Sequence, residues 1–369
     1  MALVPVSGTA LSWAVSESGI SKRNLESRLS VPKGTIDSWI KGAGLPNQTQ
    51  FRRLKLLLRR PAAVFFMDSP PSTAESTVSM RFALGATSRA RSPKERHAIR
   101  DSLRVRDFVG DLLDELGLNE SDIPAASTNE NPEDVAKSVR SKYFGVSIDE
   151  QMSWASPAMA FGQWRALIER LNILVFLYSL GENSARGFSH ATKSPPVIGI
   201  STTWHASVRI YTLFHELGHI LTRTSSSCVE ETAKSPTNDP IERWCESFAA
   251  SFLMPRQDFE VLAANLQRLD PVSIATRLSN RLFVSRKSAL LRMVEIGQAK
   301  WDDFRYLKSK FERNQRGGTH DPDQSRTRDI ARKHKYGRCL STVYDAYRAG
   351  LVSEADIRTY LRLYPDELR

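Results

Sequence analysis

Residues 215–219 read His-Glu-Leu-Gly-His. On a helix the two histidines, four apart, share a face. Two imidazoles so placed can bind one Zn²⁺, with Glu216 beside the metal's water as general base. Zinc lowers the pKa of that water from 15.7 toward ~7. Glu216 then takes its proton during attack and returns it to the leaving amine. A catalytic zinc site has three protein ligands and an open position, so a third ligand must come from elsewhere. Glu242 and Glu246 are again four apart and share a helical face. One can ligate the metal while the other hydrogen-bonds a ligand histidine. Glu230 and Glu231 compete from a loop, which positions a ligand less well than a helix. Cys228 and Cys245 have no finger-like spacing to the histidines and read as ordinary thiols.

These residues need elements to hold them. Ile210, Leu213, Phe214, Leu217, Ile220 and Leu221 supply apolar side chains at helical spacing, which predicts a helix over Val208 to Leu221. A second helix is expected from Ile241 to Met254, stopped by Pro255. Between them Thr222 to Pro240 reads as a polar loop. Upstream, Asp134 to Phe144 and Trp164 to Leu171 read as helices, and Ile173 to Tyr178 and Pro196 to Ser201 as strands. An extended peptide could add to the edge of Val197 to Ser201. His205, His190 and Tyr211 are the candidate oxyanion stabilisers, by chemistry and nearness in sequence.

The runs Thr212 to Ile220 (T-L-F-H-E-L-G-H-I) and Glu242 to Pro255 (E-R-W-C-E-S-F-A-A-S-F-L-M-P) resemble the ImmA/IrrE family of zinc metallopeptidases. That family pairs an H-E-x-x-H helix with a later E-x-x-A-N-x-F-A-x-x-L-L-M-P helix. The resemblance implies that Glu242, the first glutamate of the second motif, is the third ligand to one zinc ion per chain. It departs from the pattern at Cys245 and Glu246, where Ala and Asn are usual. Glu246 then remains as a second-shell partner of the ligand set. The resemblance spans roughly residues 131–298. It implies a zinc-dependent regulatory endopeptidase whose target is a helix-turn-helix repressor.

The first sixty residues carry ten Lys/Arg against three Asp/Glu, +7 of a total +11. They pattern as short helices: Leu11, Val15 and Ile20 mark the first, and Ser21 caps Lys22 to Leu29. The turn Ser30-Val31-Pro32 leads to Lys33 to Ile40, and Thr49 to Arg60 follows. Two short helices about a tight turn in a basic segment form a helix-turn-helix signature. The segment resembles the XRE/Cro-type domain. That resemblance implies base-facing roles for Lys33, Thr35, Asp37 and Ser38, and phosphate contacts for Lys41, Arg52 and Arg53.

The fold class expected is α+β and mostly helical. A helix-turn-helix bundle (1–68) is followed by a linker and connecting helix (69–130), with Pro70-Pro71 and Ser72 to Ser79 as its start and Arg96 to Leu116 as its helix. A zincin-like peptidase domain with a small sheet (131–298) comes next. A basic connector and helical C-terminal segment (299–369) closes the chain. Within the last, Arg326 to Arg338 reads as a solvated charge run, and Leu340 to Leu363 as helical. Ser273 to Gly297 reads as a helical pair completing the peptidase core.

Three cysteines exclude a disulfide framework and fit a reducing compartment. No apolar run approaches a membrane span, and Met1 to Ala10 lacks a signal-peptide pattern, so a cytoplasmic protein without membrane contact is expected. The partners expected are a peptide or protein substrate, a repressor, and DNA. A second reading comes from another class: a non-proteolytic transcriptional regulator or antitoxin-like protein with a structural or vestigial zinc site. Glu216 argues against it, because a purely structural site needs no general base. A small-molecule metallohydrolase is a third reading.

Overall fold

The computed structural model describes residues 3–58, 60–69, 92–118, 123–181, 184–191, 194–224, 226–228, 239–314 and 334–368. The expected linker at Pro70 to Ser79, the competing ligands Glu230 and Glu231, and most of the basic connector lie outside them. The chain divides into two compact units near Arg100.

In the first unit, helices α1 (Gly8–Ser18), α2 (Lys22–Leu29), α3 (Thr35–Ile40) and α4 (Gln48–Leu58) enclose a core. Leu11, Leu25, Ile36, Trp39, Leu54 and Phe65 build it. Ser21 caps α2 through the amide of Asn24. Ser30 then turns the chain in the left-handed region. The buried Glu26 carboxylate accepts the Ile36 amide at 3.1 Å and so locks α2 to the start of α3. Gly8 is obligatory for a different reason: a Cβ there would lie 2.1 Å from the Ile40 carbonyl oxygen. Helix α3 begins two residues later than the sequence predicts, because Gly34 takes φ +83° ahead of it. Helix α5 (Pro93–Glu115) follows.

The second unit is built on a four-stranded sheet of order β1-β3-β2-β4. The strands are β1 (Leu174–Tyr178), β2 (Gly187–His190), β3 (Val197–Ser201) and β4 (Ser226–Cys228). β1 and β3 run parallel, whereas β2 is antiparallel to both β3 and β4. Helices α8 (Pro157–Glu169) and α9 (Ala206–Leu221) cover one face, where Val175, Ile198 and Ile200 join Trp164, Ile168, Phe214 and Leu217. On the other face Phe176, Tyr178 and Phe188 meet Tyr336 and one another. With both faces covered, β1 and β3 are apolar runs rather than alternating ones.

Around this core lie α6 (Pro132–Val139), continued by one wide turn over Arg140–Phe144, and α7 (Ile148–Ser153). Beyond α9 come α10 (Pro240–Leu253), α11 (Arg256–Ala264), α12 (Pro271–Leu282), α13 (Arg286–Glu295) and α14 (Trp301–Asn314). Two short helices, α15 (Cys339–Arg348) and α16 (Glu354–Tyr360), and a 3₁₀ turn over Pro365–Leu368 end the described chain.

Three expectations change. Val197–Ser201 is no edge: β3 lies between β1 and β2, because the chain forms β2 one strand position beyond β1 before it returns to fill the gap, parallel to β1 and antiparallel to β2. The stretch expected as a polar loop after α9 contains β4. And the charge run ends in packed structure, not in solvent. Arg165, buried in α8, donates to the His334 carbonyl at 2.6 Å. The Lys335 ammonium reaches the buried Asp101 carboxylate at 2.6 Å. Among the described residues no helix is long and apolar enough to cross a membrane.

Candidate metal centre

Helix α9 starts where His205 caps it, its Nδ1 accepting the Ser207 amide at 3.3 Å. His215 and His219 follow on its inner face and are almost wholly buried. Helix α10 starts at Asp239, whose side chain accepts the Ile241 amide at 2.8 Å, with Pro240 at its first position. Both are strong helix-start choices. Glu242 therefore stands in the first turn, where the helix dipole favours a carboxylate.

The two helices touch at Gly218 and Cys245. A Cβ on Gly218 would lie 3.1 to 3.2 Å from the Sγ, Cα and Cβ of Cys245. This close approach carries Glu242 to the histidines. His215 Nε2 and His219 Nε2 are 3.3 Å apart. The carboxylate oxygens of Glu242 lie 3.2 Å from the first and 3.4 Å from the second. Ligands about 2.0–2.1 Å from a tetrahedral zinc stand about 3.3–3.4 Å from one another. The donor set of two imidazoles and a carboxylate thus fits such an ion in both chemistry and spacing. Among the described residues these three form the one group able to hold a metal.

The electrostatics agree. Burial acts to raise the Glu242 carboxyl pKa, but hydrogen bonds from His215 and His219 outweigh it and hold the group well below the carboxylate range. Burial likewise opposes a charged His215. Its hydrogen bond to Glu242 and the fields of Glu216, Glu242 and Glu246 still leave its pKa raised. His219 has its ring set from behind, since Nδ1 lies 2.9 Å from the Thr224 hydroxyl. That hydroxyl meets the Thr222 hydroxyl at 2.9 Å. A donor at Nδ1 leaves Nε2 as the free ligand atom.

Glu216 is fully buried beside the same helix face. Gly187 of β2 makes its room: a Cβ there would lie 3.1 Å from Glu216 Oε1 and 2.7 Å from Thr212 Cγ2. Glu246, expected to bond a ligand histidine, is exposed. Its backbone carbonyl receives the Tyr211 hydroxyl at 3.0 Å. It adds its field at His215.

Residues 168–294 match the model of the IrrE N-terminal-like domain, Peptidase_M78. No curated protein matches the chain. The IrrE-like match supports the ImmA/IrrE family and a metallopeptidase-type function, and a peptidase domain implies a peptide or protein substrate. It contains all of α9 and α10, and so the whole His215–His219–Glu242 group.

Of the oxyanion candidates, His205 is ten residues before His215, about 15 Å along the helix. His190 lies on β2 beside Phe188, on the sheet face away from α9. Tyr211, one turn before His215, shares its face. The sequence reading missed Thr224 and Gly187, which carry no motif of their own. It also missed what anchors the far end of α10. Arg140 donates to the Phe252 carbonyl at 2.7 Å and to Gln151 at 2.9 Å. Gln151 donates to the carbonyls of Leu253 and Leu282. Arg292 takes the Met254 carbonyl at 3.1 Å. Burial pushes the Arg140 guanidinium down to about 10. A lone arginine inside an amphipathic helix is the only sequence signal of this hub.

In the first unit, Lys33, Lys41, Arg52 and Arg53 are exposed. Asp37 is engaged by Lys22 at 2.6 Å, which holds its carboxyl below the usual range. Thr35 bonds the Pro32 carbonyl, and Ser38 is half-buried.

Proposed function

We propose that the chain is a zinc-dependent regulatory endopeptidase. His215, His219 and Glu242 hold the zinc, and Glu216 is the general base. The observation that carries this is the spacing of the three ligand atoms, 3.2 to 3.4 Å, where α10 brings Glu242 to the two histidines of α9, the helix that also presents Glu216. Bound zinc supplies Lewis-acid polarisation of the scissile carbonyl and acidifies a water. Glu216, shielded from bulk water, accepts that water's proton and passes it to the leaving nitrogen. Thr224 keeps His219 in its ligating tautomer. Tyr211, on the same face as His215, is our candidate to steady developing charge on the substrate oxygen, once its hydroxyl exchanges the Glu246 carbonyl for the substrate.

The substrate in this reading is a helix-turn-helix repressor, and the first unit is a helix-turn-helix domain that binds DNA or the repressor. Its support is the α2–turn–α3 arrangement and the exposed Lys33, Lys41, Arg52 and Arg53 in a segment of charge +7. Thr35 and Ser38 remain base-facing candidates, and Asp37 serves as the partner that orders Lys22. Neutralising Lys41, Arg52 or Arg53 should reduce the salt slope of DNA binding by about one each if they meet phosphates.

The decisive experiment is Glu216→Gln. Zinc content should stay at one per chain while cleavage of a co-expressed repressor is lost. Cleavage that survives the substitution would exclude the peptidase mechanism and return the regulator reading.

A further inference from the structure

We propose that the first unit holds duplex DNA by its phosphates alone and does not read the base sequence. The proposal rests on the helix-turn-helix reading of that unit and is independent of the peptidase chemistry.

Reading bases in the major groove takes side chains that reach them. Arginine or lysine meets guanine, asparagine or glutamine meets adenine, and a carboxylate accepts from cytosine. Helix α3, the second of the pair, has six residues, and each is already committed. Ile36 and Trp39 belong to the core, and Ile40 packs against it. Thr35 and Ser38 face the bases by position only. The Thr35 hydroxyl donates to the Pro32 carbonyl at 2.7 Å. Ser38 is half-buried, and a Cβ on Gly44 of the following loop would lie 3.1 Å from its Oγ. The Asp37 carboxylate accepts from the Lys22 ammonium at 2.6 Å. No residue of α3 is an arginine, lysine, asparagine or glutamine, and its one charged side chain is neutralised from within the unit. At the start of α4, Asn47 and Gln50 are likewise spent on each other's backbone amides, at 2.8 and 2.9 Å.

What the unit does offer is positive charge. All three acids of the first sixty residues are used internally. Glu17 pairs with Arg60 at 3.8 Å, Glu26 is buried on the Ile36 amide, and Asp37 holds Lys22. Arg23, Arg28, Lys33, Lys41, Arg52 and Arg53 are exposed, and none pairs with a carboxylate among the described residues. Cations of this kind attract a phosphate backbone whatever its sequence, and a protein so held slides along the duplex. The chain would then reach a DNA-bound protein substrate by travelling along DNA, not by sharing its operator.

The test uses the full zinc-loaded chain carrying Glu216→Gln, so that nothing is cleaved. It is titrated into fluorescein-labelled duplexes of three unrelated sequences and used to select from a duplex pool with a random core. Affinities should agree within about threefold, and selection should enrich no site, because a true base contact costs roughly 1–3 kcal/mol when mismatched. One site bound more than about tenfold tighter than the rest would overturn the proposal. Asp37→Asn is the sharper variant. The pair it opens lies at the surface, half exposed on both sides, so the fold does not depend on it. It removes a negative charge and frees Lys22. Binding should strengthen by the same factor on every duplex, and log affinity against log salt should steepen by about 0.9. Weaker binding, or a change confined to one duplex, would reveal a base contact and overturn the proposal. Absence of binding to every duplex at low salt would overturn it as well. If that protein then captured a co-expressed repressor, the helix-turn-helix reading would stand with the repressor as its partner. Capture of neither would sink both.

Discussion

The hydroxyl of Thr224 sits 2.9 Å from Nδ1 of His219. Replacing it with the isosteric valine removes the acceptor and keeps the volume. Loss of such a partner behind a ligand histidine costs about 10- to 100-fold in metal affinity. Thr224→Val should therefore weaken zinc binding by that factor in a chelator competition, with little change in melting temperature. A second residue-scale expectation concerns the metal-free protein. The folded pKa of Glu242 is lowered, so its stabilisation is present above its unfolded pKa of about 4.3 and is lost on acidification. The folded pKa of His215 is raised, so its stabilisation is complete below about 6.5 and is lost as pH climbs through the raised value. Between those limits both contributions hold. Melting of the chelator-treated protein across pH 3 to 9 should peak there and fall on either side. A curve that is flat from pH 6 to 9 would deny the His215–Glu242 pair. Zinc should reverse the alkaline limb, because deprotonation of His215 frees its ligand atom.

At the scale of elements, the centre is a contact between two helices. A glycine-to-alanine change in a helix interior ordinarily stabilises by about 0.5–1 kcal/mol. At Gly218 the added methyl would press on the backbone of Cys245 at 3.2 Å, and overpacking costs about 1–3 kcal/mol. The second effect wins, because backbone yields only by moving α10 as a body. Gly218→Ala should thus lower both stability and zinc affinity, since α10 carries Glu242. Normal zinc affinity in that variant would mean that the helix spacing does not set the ligand geometry. These helices were legible in the sequence. Their apolar spacing is helical, and their ends carry Asp239, Pro240 and Pro255. The sheet was legible only in part. β1, β2 and β3 are apolar or glycine-containing runs, but strand order depends on crossovers that no local pattern records, and so β3 was taken for an edge. β4 reads Ser-Ser-Cys, with neither alternation nor β-branched residues. Only its pairing to β2 makes it a strand.

At the scale of the whole molecule, the C-terminal segment belongs to the body of the second unit. Tyr336 packs edge-on to Phe176, and Tyr360 stacks on Phe108 with ring centres 4.2 Å apart. Arg104 donates to the Tyr360 carbonyl at 2.8 Å, and the Arg338 amide bonds Glu169 at 3.2 Å. None of this was readable in advance. The segment's charge is conspicuous in sequence, while its partners Asp101, Arg165 and Glu169 lie far away along the chain. Gly337 is where the docking is tightest. It takes φ +56°, and a Cβ there would stand 2.0 Å from Glu169 Oε1 and 2.3 Å from an Arg165 terminal nitrogen. Neither atom can retreat freely, because Arg165 also bonds Glu169 and the Val175 carbonyl. Gly337→Ala should therefore undock residues 334–338 or cost on the order of 1–3 kcal/mol or more. Deletion from His334 onward goes further. It uncovers Phe176 and Tyr178, strips Asp101 of Lys335, and reopens the β1 edge at Leu177, an aggregation hazard. Net stabilities of about 5–15 kcal/mol leave little room for such losses. The truncated chain should be insoluble or fail to hold zinc, although it keeps every residue of the metal centre. If it instead remained soluble with one zinc per chain and an unchanged melting temperature, the C-terminal segment would be an appendage and not part of the peptidase body.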